Sequence, residues 1–445
     1  MLDWVSLFLG LYTTSIINEQ LKANFIFSNL NPCGGGERLT LITMQAVIEM
    51  NIEIEFTTLG SPNITKLENA YGKDLSSVIN KIKKVNVLSM FDEQSIDSIM
   101  KRGYDITINT HGDIVPFHHN SLSKNNAITY CHFPSATFII DKEDKEYLDK
   151  YLKVPNSQAS SDIHTSKTDY TTICNVDKEI AKNDAVAAAF NRKKYLVWVK
   201  DTYDNMLKNT TVITNSKYSR NAIFGAYGID EVIVLNPPID VDTFRNSVLS
   251  SDYDEREDII LVVARIDPSK NIENAIDFAK SIKENGIGKG MIIAGSLDPY
   301  YSDYYSKLQK MVTDYNLDSF VEFEINASID GLLTLMRKSK AFFHPLSGEH
   351  FGMSIAEAMS AGLTPIVPDV GGQTEFVPLK YQYNNVEHAV QIAKSVFAVP
   401  YSERVSLSDS VSKFSTSNYI KQFQTVVREL LVKANFATNN KNTTQ

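Results

Sequence analysis

The 445-residue sequence predicts two α/β domains, each a parallel sheet with helices on both faces, and three observations carry that prediction. Short apolar runs alternate with longer amphipathic stretches along most of the chain, which is the rhythm of strand–helix–strand units. The rhythm starts twice, near residue 24 and again near residue 259, with a charged segment over 250–258 as a linker. The length also exceeds one ordinary core, which favours two units of roughly 200 residues.

The composition is that of a soluble globular protein, 43% hydrophobic and 22% charged. A formal charge of -9 leaves no whole-chain positive field to attract nucleic acid, so that class of partner is excluded. Cys33, Cys131 and Cys174 are too few and too scattered for a disulfide framework or a zinc cluster, and a reducing, cytoplasmic setting is expected.

The segment 1–21 is apolar around Trp4, Leu7, Phe8, Leu9 and Leu11 but short for a membrane span. It admits three readings: a first helix packed on the domain, an interfacial anchor, or an upstream start outside the native structure. The first domain is expected over 22–245. A strand at 24–28 runs into Gly34, Gly35, Gly36, Glu37 and Arg38, then into an apolar helix over 39–50. The glycines lack the dinucleotide-binding spacing, yet they permit close approach of backbone to a phosphate.

Further strands are predicted at 52–57, 86–89, 105–109, 127–130, 211–216 and 232–235. His111 and His132 fall at strand ends, where ligands gather in doubly wound sheets, and each reads either as a ligand contact or as a structural hydrogen-bonder. Residues 141–183 break the rhythm and read as an insertion. The basic and aromatic stretch 191–200, with Lys81, Lys83 and Lys84, reads either as a solvated helix face or as contact with an anionic membrane surface. Asp240 and Asp242 form an acidic pair too unspecific to assign a metal.

The second domain is expected over 256–415, with strands at 259–263, 290–294, 321–323, 341–343 and 365–367. A helix over 416–436 carries Tyr419, Ile420, Phe423, Val426, Val427, Leu430 and Leu431 at helical spacing, and 437–445 read as a disordered polar tail. The loop after the first of these strands holds Arg265 and Lys270, two cations suited to a diphosphate.

After 341–343 come Gly348, Glu349, Phe351 and Gly352, then a brief helix from Met353 and Ser354 through Glu357 to Gly362, a residue suited to a left-handed helix end. Amides at that helix start favour phosphate, while Glu349 and Glu357 accept hydrogen bonds from hydroxyls, and a nucleotide sugar has both kinds of group. The alternative for each glutamate is a solvent-facing position on an amphipathic turn.

Taken together, these residues resemble the retaining glycosyltransferases of family 4 (glycosyl transferases group 1), over nearly the whole chain outside the insertion and both termini. Glu349 and Glu357 match the family's spaced glutamate pair, Arg265 and Lys270 its diphosphate-binding pair, and Gly34 to Gly36 its glycine loop. Within the family, His132-Phe133-Pro134 and Glu349-His350-Phe351-Gly352 are most similar to the branch that adds mannose to lipid-linked oligosaccharides.

The resemblance implies a GT-B fold, two Rossmann-like domains facing across a cleft, and metal-independent hexosyl transfer with retained configuration. It also implies that Arg265 and Lys270 neutralise the leaving diphosphate, Glu357 holds the ribose, Glu349 holds a sugar hydroxyl and His132 touches the donor sugar. The donor is a nucleoside diphosphate sugar, GDP-mannose favoured over a UDP-sugar, with no further cofactor. The acceptor is lipid-linked or an oligosaccharide, which allows peripheral attachment at the inner face of a membrane. A nucleotide-sugar epimerase on the same plan and a non-catalytic glycan-binding module are the rival readings.

Overall fold

The computed structural model describes residues 20–88, 93–112, 126–141, 200–246 and 256–442, together with Val197. The segment 1–19, most of the expected insertion, the 191–196 basic stretch, Cys174 and most of the linker lie outside the described residues. Among the described residues, Cys33 and Cys131 are not joined in a disulfide.

The first sheet contains β1 (Lys22–Ile26), β2 (Glu53–Thr58), β3 (Lys84–Val87), β4 (Ile106–Asn109), β5 (Ala127–Tyr130), β6 (Thr211–Thr214) and β7 (Val232–Val234). Its order is β3-β2-β1-β4-β5-β6-β7, and every pair is parallel. The second contains β8 (Glu257–Val263), β9 (Gly290–Gly295), β10 (Val321–Ile325), β11 (Ser339–Phe343), β12 (Thr364–Pro368) and β13 (Gln382–Tyr383), in the order β10-β9-β8-β11-β12-β13 and again parallel. Central strands such as β4, β5 and β12 are buried at every position, as parallel sheets covered on both faces require.

The order reverses direction between β1 and β4 in the first sheet and between β8 and β11 in the second. At such a switch point the following loops diverge and leave a crevice beyond the strand ends. The loops after β1, β4 and β5 carry Gly34–Gly36, His111 and His132; those after β8 and β11 carry Arg265, Lys270 and Glu349.

Five elements matter for the site: α1 (Gly35–Ile48), α2 (Lys217–Tyr227), α3 (Met353–Ser360), α4 (Tyr401–Val411) and α5 (Thr416–Asn442). The chain crosses between domains twice, and the crossings lie side by side: Ile239 N–H donates to the Phe414 carbonyl at 2.8 Å, and Thr416 N–H returns to the Ile239 carbonyl at 3.1 Å. Past the second crossing, α5 lies against the first domain. Tyr419, Ile420, Phe423, Val427 and Leu430 join one apolar cluster with Phe25, Leu39 and Met44, and the Tyr419 hydroxyl meets Thr43 Oγ1 at 2.7 Å. No helix among the described residues is long and apolar enough to cross a membrane.

Four of the departures from the sequence reading have a clear physical cause. The first helix begins at Gly35 rather than 39, because Gly34 caps it and the Glu37 carboxylate accepts the Gly34 N–H at 2.8 Å. Strand β3 starts two residues early; it is a sheet edge with only Asn86 buried, so apolar patterning marks it poorly. The strand at 211 stops at Thr214, since Ser216 turns to cap α2 by accepting the Ser219 N–H at 3.0 Å. Helix α5 runs to Asn442, through much of the expected disordered tail. Once a helix is nucleated, each added residue gains a hydrogen bond, so polar residues can extend one already docked.

Candidate active site

The second-domain half of the site is built at the ends of β8 and β11. After β8, Asp267 turns the chain by accepting Ser269 N–H at 2.9 Å, and this places Lys270 over the crevice. Lys270 Nζ lies 3.0 Å from Glu349 Oε2, both side chains mostly buried. Arg265 is half-exposed beside them, its Nε 3.5 Å from Asp267.

Burial alone would raise the Glu349 carboxyl. Lys270, with His344 Nε2 at 3.5 Å, instead holds it well below the ordinary carboxylate range. Glu349 is therefore an ion at neutral pH.

The loop that carries Glu349 is pinned from beneath. Gly348 N–H donates to the Val370 carbonyl at 2.8 Å, and Gly372 N–H to the Glu349 carbonyl at 2.7 Å. A Cβ on Gly372 would stand 2.1 Å from the His350 carbonyl oxygen, so no larger residue fits without moving the loop. Gly372→Ala is expected to cost about 1–3 kcal/mol in urea unfolding, and an unchanged midpoint would show the loop to be compliant.

Gly352 precedes α3 with φ 95° and no side chain caps the helix, so the amides of Met353 and Ser354 have no intrahelical acceptor. The Phe351 side chain is only 3% exposed and packs on Phe376 and Phe414 at centroid distances of 5.2 and 5.0 Å. Of the Phe351–Ser354 segment, Phe351 thus offers a ligand its backbone alone.

The first-domain half meets this directly. A Cβ on Gly35 would lie 2.7 Å from Met353 Sδ, which puts the glycine loop against the start of α3. His132, at the end of β5, places Nε2 2.9 Å from the Thr110 carbonyl oxygen. A carbonyl only accepts, so Nε2 carries the proton and Nδ1 keeps its lone pair. Burial lowers the His132 pKa, which keeps the ring neutral at neutral pH. His111 Nδ1 lies 3.1 Å from Ser28 Oγ, and burial brings its pKa down to about 3.

Glu357 does not stand free. Its Oε1 accepts from Arg38 Nη1 at 2.9 Å, and Arg38 Nη2 lies 3.7 Å from Asp240. Burial raises the Glu357 carboxyl, Arg38 opposes that rise and Asp240 adds to it.

A second seam joins the domains beside the glutamate loop. Ser216 Oγ donates to the His350 carbonyl at 2.6 Å, and Tyr218 N–H to Glu375 at 2.8 Å. The Phe133 and His350 rings stack at 4.1 Å and 3°. Burial brings the His350 pKa down to about 4, so a neutral ring lies on Phe133.

The structure thus brings together Lys270 with Glu349 and Gly35 with Met353, and sets Gly36 against His132, 3.9 Å from a virtual Cβ. Sequence reasoning assigned no part to Arg38, Phe133, Ser216 or Tyr218. Their partners are 319, 217, 134 and 157 positions away, and no local spacing records such pairs.

Residues 246–391 match the family model of glycosyl transferases group 1. The chain is 25% identical over 222 residues to the GDP-Man:Man(3)GlcNAc(2)-PP-Dol alpha-1,2-mannosyltransferase of Dictyostelium discoideum, covering 46% of this chain and 43% of that one. Its identity to the human protein of the same name is 24% over 293 residues, or 59% of each chain. The chain therefore spans about half the length of the curated relatives it matches. Among solved structures, sucrose-phosphate synthase from Thermosynechococcus elongatus superposes with a TM-score of 0.63 at 15% identity, covering 93% of this chain and all of that one. Residues 246–391 thus match the glycosyl transferases group 1 model, within a chain of GT-B fold.

Proposed function

We propose that the protein is a retaining glycosyltransferase that moves a hexose, with mannose favoured, from a nucleoside diphosphate sugar to a lipid-linked or glycan acceptor. The observation that carries this reading is the meeting of the two switch points. The glycine loop, with His132 beside Gly36, lies against the uncapped start of α3, in the domain that carries the Lys270–Glu349 pair.

In this reading Arg265 and Lys270 take the charge that develops on the leaving diphosphate, and the Gly352–Ser354 amides support them. Glu349 accepts from a hydroxyl of the transferred sugar, Glu357 from the ribose, and neutral His132 contacts the sugar near the reacting carbon. Glu349 is paired with Lys270 and Glu357 with Arg38, so neither is assigned the part of a nucleophile. The acceptor hydroxyl attacks from the face the diphosphate leaves, and the leaving phosphate oxygen takes its proton. Closure of the domains keeps water from competing. GDP-mannose is favoured because the relatives' names carry that donor. The relatives' names likewise carry a dolichyl diphosphate oligosaccharide, which motivates the lipid-linked acceptor and attachment at a membrane surface.

The test is incubation with radiolabelled GDP-mannose, UDP-glucose in parallel, and a polyprenyl-diphosphate oligosaccharide, with the anomeric configuration of the product read by NMR. An α-linked product supports the reading. Absence of transfer from either donor, or inversion of configuration, would sink it. Glu357→Gln is expected to weaken nucleotide binding by about 1–3 kcal/mol in calorimetry, and unchanged affinity would remove Glu357 from the ribose site.

A further inference from the structure

We infer that Arg38, a first-domain residue, is a positioning residue for the nucleotide: it fixes the Glu357 carboxylate for the ribose, so that the ribose site is complete only when the two domains are together. The inference rests on the ribose role proposed above for Glu357 and adds what makes that role work.

The geometry is a bridge with three footings. Arg38 stands in the first turn of α1, Glu357 is the fifth residue of α3 in the second domain, and Asp240 lies in the crossing segment between them. The guanidinium gives Nη1 to Glu357 Oε1 at 2.9 Å and holds Nη2 3.7 Å from Asp240 Oδ2. Arg38 and Glu357 are 15% and 13% exposed at their side chains, so their contact is largely out of water, where a charge-assisted bond is strong and directional.

Without Arg38, Glu357 would be a buried carboxylate with Asp240 as its neighbouring charge. Both the burial and the like charge favour the protonated acid. A protonated carboxyl donates one hydrogen and accepts poorly, which spoils it as an acceptor for two vicinal hydroxyls. Arg38 opposes that protonation and ties down Oε1. Oε2 has no hydrogen-bond partner among the described residues, and it is the oxygen left for a diol.

The planar fork of arginine also sets the rotation of the carboxylate, which a point charge does less well. Separation of the domains would carry α1 away from α3 and take this support with it. First-domain closure and ribose affinity are therefore coupled through one side chain.

The experiment compares the binding of GDP and 2′,3′-dideoxy-GDP, with the UDP pair in parallel, to the wild-type chain and to Arg38→Ala, Arg38→Lys and Glu357→Gln. Wild type is expected to prefer the ribonucleotide by about tenfold to a hundredfold. Arg38→Ala should bring that ratio to near one while dideoxynucleotide affinity stays put, and Arg38→Lys should restore part of it. A variant that is merely damaged would lose affinity for both nucleotides alike, and circular dichroism checks its fold. If Arg38→Ala keeps the full preference while Glu357→Gln loses it, the inference about Arg38 falls and the ribose role stands. If Glu357→Gln also keeps the preference, the ribose role falls and the inference with it.

Discussion

Lys270→Ala is expected to slow glycosyl transfer by about 100- to 1,000-fold, the loss that follows removal of one preorganised donor aimed at developing charge, or about 2.7–4 kcal/mol. The side chain works twice. In the proposed reaction it meets the diphosphate as the glycosidic bond breaks, so its loss should appear in kcat as well as in kcat/KM. It also compensates Glu349, whose buried carboxyl is kept ionised by Lys270 ahead of His344.

That second role has a pH signature. A carboxyl depressed in the folded state contributes stability that is present above its unfolded value and lost as pH falls through the folded one. In wild type the loss should therefore begin as pH falls through about 4.5 and run down to the folded value well below it. In Lys270→Ala burial is opposed less, so the acid limb of activity should move to higher pH, while the loss of stability that Glu349 contributes on acidification should shrink. Lys270→Arg keeps the charge but replaces a compact ammonium by a planar fork, and an intermediate rate is expected. Transfer by Lys270→Ala within threefold of wild type, with an unmoved acid limb, would separate Lys270 from both roles.

What the chain discloses in one dimension is whatever depends on neighbours in sequence. The apolar runs behind β8, β9 and β11 read directly because strands covered on both faces need no alternation. The Glu349 loop was legible because the apolar strand, the glycine-bearing turn and the helix-forming residues follow one another within about twenty positions, and Gly362 adopts the left-handed φ of 77° expected at the helix end.

Strand β13 has only two residues, Gln382 and Tyr383, and produces no run at all. The partners of Glu357 and His350 were illegible for a different reason. Arg38 and Phe133 reach them across the cleft, and the closeness of α1 to α3 follows from the two crossings at Ile239 and Ser415, not from any spacing of residue types. The sequence therefore identifies the groups of the proposed site better than it identifies what holds those groups in place.

Arg404→Met is expected to destabilise the protein by about 3–5 kcal/mol, in the range for removing one partner from a buried charged network. Arg404 on α4 is fully buried. Its Nε donates to the Val399 carbonyl at 3.1 Å, Nη1 to those of Lys340 at 2.6 Å and Gly362 at 3.4 Å, and Nη2 to that of Val396 at 3.2 Å. Lys340 lies in β11, Gly362 in the turn after α3, Val396 at the end of the helix Val386–Val396 and Val399 just beyond it, so one side chain ties three elements behind the glutamate loop.

Burial lowers its pKa to about 10, which still leaves it charged at neutral pH. Methionine fills a similar volume, so the expected loss is chiefly that of donors to carbonyls sealed from water, with little cavity term. Urea unfolding with an unchanged m-value is the measurement. Nucleotide affinity should fall as well, because the C-terminal end of α3 loses its anchor at Gly362 while Arg256 still donates to Ala361 at 3.0 Å. A loss below 1 kcal/mol would mean that other donors or water replace the guanidinium at all four carbonyls, and the arginine would then have no structural part behind the site.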